Sequence, residues 1–138
     1  MRTRERERFD RLFEEVLAEL PEDVHRLLDE CPIVLEDRPS RRLLEELGLD
    51  PDDELLCGLH SGVPLTERSV DRPEASDVIQ LFREGIVDMA GGWEEGEDED
   101  GAFGGVARIR REIRVTILHE IGHHFGLDED DLERLGYA

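Results

Sequence analysis

The stretch from about Val106 to Phe125 constrains the fold of this chain more than any other. Val106, Ile113, Ile117 and Ile121 recur at helical spacing and predict one long helix with a core-facing side. Glu112, Thr116, His119 and His123 fall on the opposite side, where Glu112 and Thr116 are expected to line a cleft or support ligands. A domain built on this helix must bury its back and leave a polar front exposed. Gly126 follows directly and predicts a left-handed cap that ends the helix and turns the chain back.

The front of the helix carries His119-Glu120-Ile121-Gly122-His123, an H-E-x-x-H pattern. Two histidines four residues apart share a face, so both imidazoles can reach one ion. Glu120 lies about 100° round the helix from His119, which puts its carboxylate beside the ion rather than on it. There it can take a proton from activated water and pass it to a leaving amine. Zinc is the expected cofactor. A surface helix with two solvated histidines would show the same five residues, so the Gly126 stop matters: it lets the returning chain supply the third protein ligand that catalytic zinc usually has.

Charge narrows the partners. The 138 residues carry 37 acidic and 17 basic side chains, for a net charge of −20, and all the basic residues are arginine. Such a field repels phosphate backbones and favours cations, so nucleic acid is not expected as a partner. No apolar run approaches the roughly 18 residues of a membrane span. The Arg/Glu-rich start, with no apolar stretch behind it, does not read as a signal peptide. A cytoplasmic protein is expected, with Cys31 and Cys57 as buried thiols rather than a disulfide.

The rest of the chain reads as one α+β domain over residues 1–138. Phe9, Leu12, Phe13, Val16, Leu17 and Leu20 mark one face of a first helix, closed by Pro21. A shorter helix presents Val24, Leu27 and Leu28. Ile33 to Leu35 predicts a strand, and Ser40 caps a helix that stops at Gly48. Leu55 to Leu59 and Val78 to Phe82 predict two more strands, giving a small sheet of about three. Gly58, Gly62 and Pro64 suggest an irregular turn containing an exposed His60. Residues 86 to 90 suggest one helical turn, and the glycine-rich, acidic Gly91 to Gly105 a mobile loop. His124 falls on the core side of the last helix, and His25 reads as a surface residue.

The C-terminal segment resembles the zincin metallopeptidases, whose longer pattern is H-E-x-x-H-x-x-G-x-x-(H or D). His119, Glu120, His123 and Gly126 match it. The likeness is nearest to a small bacterial family of minimal zincin-like proteins with a similar H-E-I-G-H-H-F-G stretch. It extends to the PLTERS segment at Pro64 to Ser69 and to Val78–Phe82. The resemblance implies a minimal zincin-like fold with the active-site helix near the C-terminus, His119 and His123 as zinc ligands, and Glu120 as the catalytic base. The eleventh position is Glu129, which would be the third ligand, with Asp128 as the alternative. Asp128 competes as the N-cap of a last short helix, paired with Asp131. Glu133, one turn further on, is a weaker candidate, and Tyr137 is expected to pack or lie exposed. Two departures stand out: only nine residues follow Glu129, and no Met follows Met89. Two functions follow. One is a zinc-dependent peptidase acting on a peptide or protein substrate, with the peptide extended along a sheet edge. The other is an inactive zincin-fold protein that binds a metal or a partner.

Overall fold

The computed structural model describes residues 1–50, 56–61 and 77–134, without the side chains of Glu129 and Leu132. The Pro64–Ser69 segment, Leu55, the turn expected at Gly62 and Pro64, and Tyr137 therefore lie outside the described residues. Chain order is α1 (Thr3–Glu19), α2 (Glu22–Glu30), β1 (Ile33–Glu36), α3 (Arg41–Glu46), β2 (Gly58–Ser61), β3 (Val78–Phe82), α4 (Arg83–Ala90), β4 (Gly96–Asp98), β5 (Gly101–Phe103), α5 (Val106–Phe125) and α6 (Glu129–Arg134). This is an α+β arrangement with a three-stranded sheet and a two-stranded hairpin.

β3 is the central strand. β1 pairs parallel to it, from Ile33 opposite Ile79 to Glu36 opposite Phe82. β2 pairs antiparallel, from Gly58 opposite Leu81 to Ser61 opposite Val78. The period of two in β3 sends Ile79 and Leu81 into the core, both fully buried. Gln80 points to the other face and ties the three strands together. It accepts from Ser61 Oγ at 3.2 Å, and its amide donates to Glu36 Oε1 at 3.4 Å.

The helical stripes meet behind this sheet. α1 buries Phe9, Leu12, Phe13 and Val16, and α5 buries Ile109, Ile113, Ile117 and Ile121. Each large side chain removed from water contributes roughly 1.5–3 kcal/mol, so these two stripes dominate the core. Arg110 of α5 bonds Glu15 and Glu19 of α1 across the rim of that contact. Pro21 caps the start of α2, and Ser40 Oγ accepts from Leu43 N at 3.1 Å to start α3. The Ser40 cap falls where the sequence placed it.

A buried arginine secures the start of α4. Arg83 is 8% exposed and donates to both carboxylate oxygens of Asp10, at 2.8 and 3.1 Å, and to Asp37 at 3.1 Å. Arg6 donates to both Asp37 oxygens, to Oδ2 at 2.6 Å and to the Oδ1 that Arg83 shares at 3.1 Å. This network joins α1, the segment after β1, and α4. With Arg6 bonded to it, the Asp37 carboxyl drops from 3.8 to about 2.

Three local expectations are corrected. The segment Gly91 to Gly105 is not a mobile loop: it holds the β4–β5 hairpin, anchored at its base by Gly104 N to Ala90 O (2.8 Å) and Gly105 N to Gly92 O (3.0 Å). Trp93 packs on the core beneath Arg8, whose guanidinium carbon is 4.6 Å from the ring centroid. Its acidic composition suggested solvation, but these tertiary anchors decide. Residues 86 to 90 belong to the eight-residue helix α4 rather than a single turn. Gly58 begins β2 instead of an irregular turn, and it lies against Thr116 of α5.

Candidate metal centre

α5 presents the motif as its periodicity requires. Ile113, Ile117 and Ile121 are buried at 0–2% exposure, whereas His119 and His123 are exposed on the opposite side. The two imidazoles meet edge to face one turn apart, with ring centroids 4.4 Å apart at 62°. Glu120 sits between the two environments. Its side chain is only 8% exposed, and its Oε2 lies 3.6 Å from His123 Nδ1. One ligand atom from each of His119, Glu120 and His123 falls within 4.8 Å of the others. Two imidazole nitrogens with a nearby carboxylate form the N/O donor set that suits zinc.

The helix ends as the sequence predicts. Gly126 adopts φ +69° and forms the left-handed cap. Leu127 N bonds Gly122 O at 2.7 Å, which closes the last turn. The chain then enters α6 through a reciprocal cap. Asp128 Oδ1 accepts from Asp131 N at 2.7 Å, and Asp131 Oδ2 accepts from Asp128 N at 3.1 Å. The two bonds occupy Asp128 locally, and the bond from Asp128 N holds the Asp131 carboxyl below its ordinary range. Glu129 is the first residue of α6, immediately after that cap, and Glu133 is exposed one turn on.

Thr116 differs from expectation. Thr116 is 7% exposed, and its hydroxyl donates to the Glu112 carbonyl at 2.7 Å, so it does not face the two histidines as an open hydroxyl. The back of the helix also holds a surprise. His124 is buried, as its core-side position implied, but His60 is buried with it: the His60 side chain is 7% exposed and its ring centroid is 5.0 Å from that of His124. The expectation of an exposed His60 was therefore wrong. It stands in β2, and β2 packs on α5, a non-local pairing that its glycine-rich neighbours hide. Asp77, fully buried at the entry to β3, was missed altogether. An acidic residue next to an apolar strand was its only local signal.

Cys31 and Cys57 are not joined in a disulfide. Cys57 donates weakly to Gly85 O at 3.5 Å, and burial pushes its thiol up to about 11. It stays protonated and inert at neutral pH.

The motif thus lies on a long helix backed by a small mixed sheet, with an inward carboxylate between two outward histidines. Residues 28–137 match the zincin-like metallopeptidase family, and the chain belongs to that family. The match covers most of the chain, from the end of α2 through α6. Comparison with curated proteins returned no match. Among the described residues, no helix is long and apolar enough to cross a membrane.

Proposed function

We propose that the protein is a zinc-dependent peptidase whose working groups are His119, His123 and Glu120. The observation that carries this reading is the placement of Glu120: a carboxylate 8% exposed, 3.6 Å from an open imidazole on the same helix. His119 and His123 would hold zinc through their exposed rings. Glu129 would supply the third ligand from the first turn of α6. Asp128 is the alternative, but it would have to give up its 2.7 Å bond to Asp131 N. Zinc, when bound, supplies Lewis-acid activation of water and of the scissile carbonyl. Glu120 then acts as the base that accepts a proton from the attacking water and returns it to the leaving amine. Its burial holds the carboxylate in one place, so the proton is taken and delivered at a fixed position.

β2 is the strand along which a peptide would lie. It forms one edge of the sheet and runs over the turns of α5 that carry the motif, with Gly58 at Thr116 and His60 at His124. An extended peptide can add to such an edge through backbone hydrogen bonds. The net charge of −20 supports a peptide or protein substrate over nucleic acid. Two cysteines that are not joined in a disulfide support a reducing, cytoplasmic setting.

Incubation of the zinc-loaded protein with a proteome-derived peptide library, read by mass spectrometry, tests the proposal. Cleaved products that vanish in Glu120→Gln support it. Zinc uptake with no cleavage would favour the inactive metal-binding or interaction module instead.

A further inference from the structure

A second cluster of metal-ligating side chains lies on the buried side of α5. Cys31 ends α2, His60 stands in β2, Asp77 precedes β3 and His124 lies on α5. Cys31, Asp77 and His124 are 1%, 0% and 1% exposed, and the His60 side chain 7%. His124 Nδ1 is 2.8 Å from Asp77 Oδ2 and 3.1 Å from His60 Nε2, and His60 Nε2 is 3.6 Å from the same Asp77 oxygen. One ligand atom each from Cys31, His60 and His124 falls within 4.8 Å of the others.

These spacings match a coordination shell. Metal–nitrogen and metal–oxygen bonds of about 2.0–2.1 Å in a tetrahedron put neighbouring donors about 3.3 Å apart. The three measured separations, 2.8, 3.1 and 3.6 Å, bracket that edge. Cys31 Sγ lies within 4.8 Å of a ring nitrogen of each histidine and would close onto the ion at about 2.3 Å. His124 Nδ1 faces both a carboxylate oxygen and a second imidazole nitrogen, and one N–H cannot serve two acceptors at full strength. A cation at the centre takes a lone pair from each. A thiolate and a carboxylate together match the charge of a divalent ion.

We propose that Cys31, His60, Asp77 and His124 form a closed structural site for zinc or a similar divalent ion, separate from the His119–Glu120–His123 centre. Four protein ligands and deep burial leave no open position for substrate, which is the mark of a structural ion. The ion would pin four elements together: the end of α2, β2, the start of β3 and α5. It would fix how deeply α5 sits against β2, and so stabilise the fold directly.

The test counts metal per chain in the full-length protein, loaded with zinc or cobalt under reducing conditions, with a parent and two variants. The parent should retain two equivalents. His119→Ala/His123→Ala, altered only at exposed positions, should retain one. Its cobalt form should show the near-ultraviolet thiolate-to-cobalt band that only a sulfur ligand gives. Cys31→Ser should lose that band. Chelation should lower the thermal midpoint of the double variant by several degrees. One equivalent with the sulfur band in both parent and double variant would uphold this site and remove the peptidase centre. One equivalent without the band, lost in the double variant, would do the reverse. A metal-free double variant, or one that binds cobalt without the band, overturns the proposal whether or not Cys31→Ser folds.

Discussion

Glu120 Oε2 lies 3.6 Å from His123 Nδ1, yet the glutamate side chain is 8% exposed and the imidazole 54%. Three helical positions separate them, which is about 60° round the axis, and the edge of the core passes through that gap. Ile117 and Ile121 hold one side of the boundary and His119 the other. The helix thus sets an anchored carboxylate beside open imidazoles without help from a loop.

The third ligand separates Glu129 from Asp128. Asp128→Ala removes the cap bond to Asp131 N and should cost about 1 kcal/mol of stability, with zinc binding kept. Glu129→Ala should weaken the zinc held by His119 and His123 by at least about a factor of ten, or roughly 1.4 kcal/mol. Urea unfolding and calorimetric titration separate the two effects. Parent-like binding in Glu129→Ala would transfer the role to Asp128 or Glu133.

Much of this was legible because it is local. The apolar stripe of α1, the alternation in β3, the Ser40 and Asp128 caps and the Gly126 stop each depend on residues within a turn or two. The motif was legible for the same reason, since i, i+4 spacing alone puts His119 and His123 together. The buried cluster was not legible. His60 meets His124 across 64 positions, and the packing of β2 on α5 brings them together. The Arg83 network likewise spans 73 positions to Asp10. In Gly91 to Gly105, composition pointed to solvation, whereas the stacking of Trp93 under Arg8 and the backbone anchors at Gly104 and Gly105 impose order.

Asp37 sets an acid-sensitive step. Its carboxyl is held at about 2, chiefly by the Arg6 hydrogen bonds, against 3.8 in an unperturbed chain. A depressed carboxyl contributes stability that is fully present above pH 3.8 and lost as the pH falls from there through about 2. Between pH 4 and 2 the parent should lose on the order of 1–2 kcal/mol more than Asp37→Asn, allowing for partial solvent screening at Arg6. The comparison with the variant cancels the relief of charge repulsion that acid brings to a chain of net charge −20. Parallel pH slopes in urea unfolding would rule out this role.

The hairpin yields a prediction about order. Gly104 has φ +74°, and a Cβ there would lie 2.0 Å from the Glu94 carbonyl oxygen. Gly104→Ala should therefore cost about 2–4 kcal/mol, from the left-handed backbone and the backbone clash together. In limited proteolysis the parent should resist cleavage between Gly91 and Gly105, and the variant should be cut there. Rapid cleavage of the parent in this segment would mean that the anchors do not hold it.

The central claim is that His119 and His123 bind zinc while Glu120 handles the proton. Measuring peptide cleavage and zinc content together on the parent, His119→Ala and Glu120→Gln tests it most directly. The parent should bind zinc at this centre and cleave peptide. His119→Ala should lose that zinc and the activity. Glu120→Gln should keep the zinc and lose cleavage by at least about a hundredfold, the scale of a missing general base. Equal loss of zinc in both variants, or cleavage by Glu120→Gln at the parent rate, would contradict the assignment.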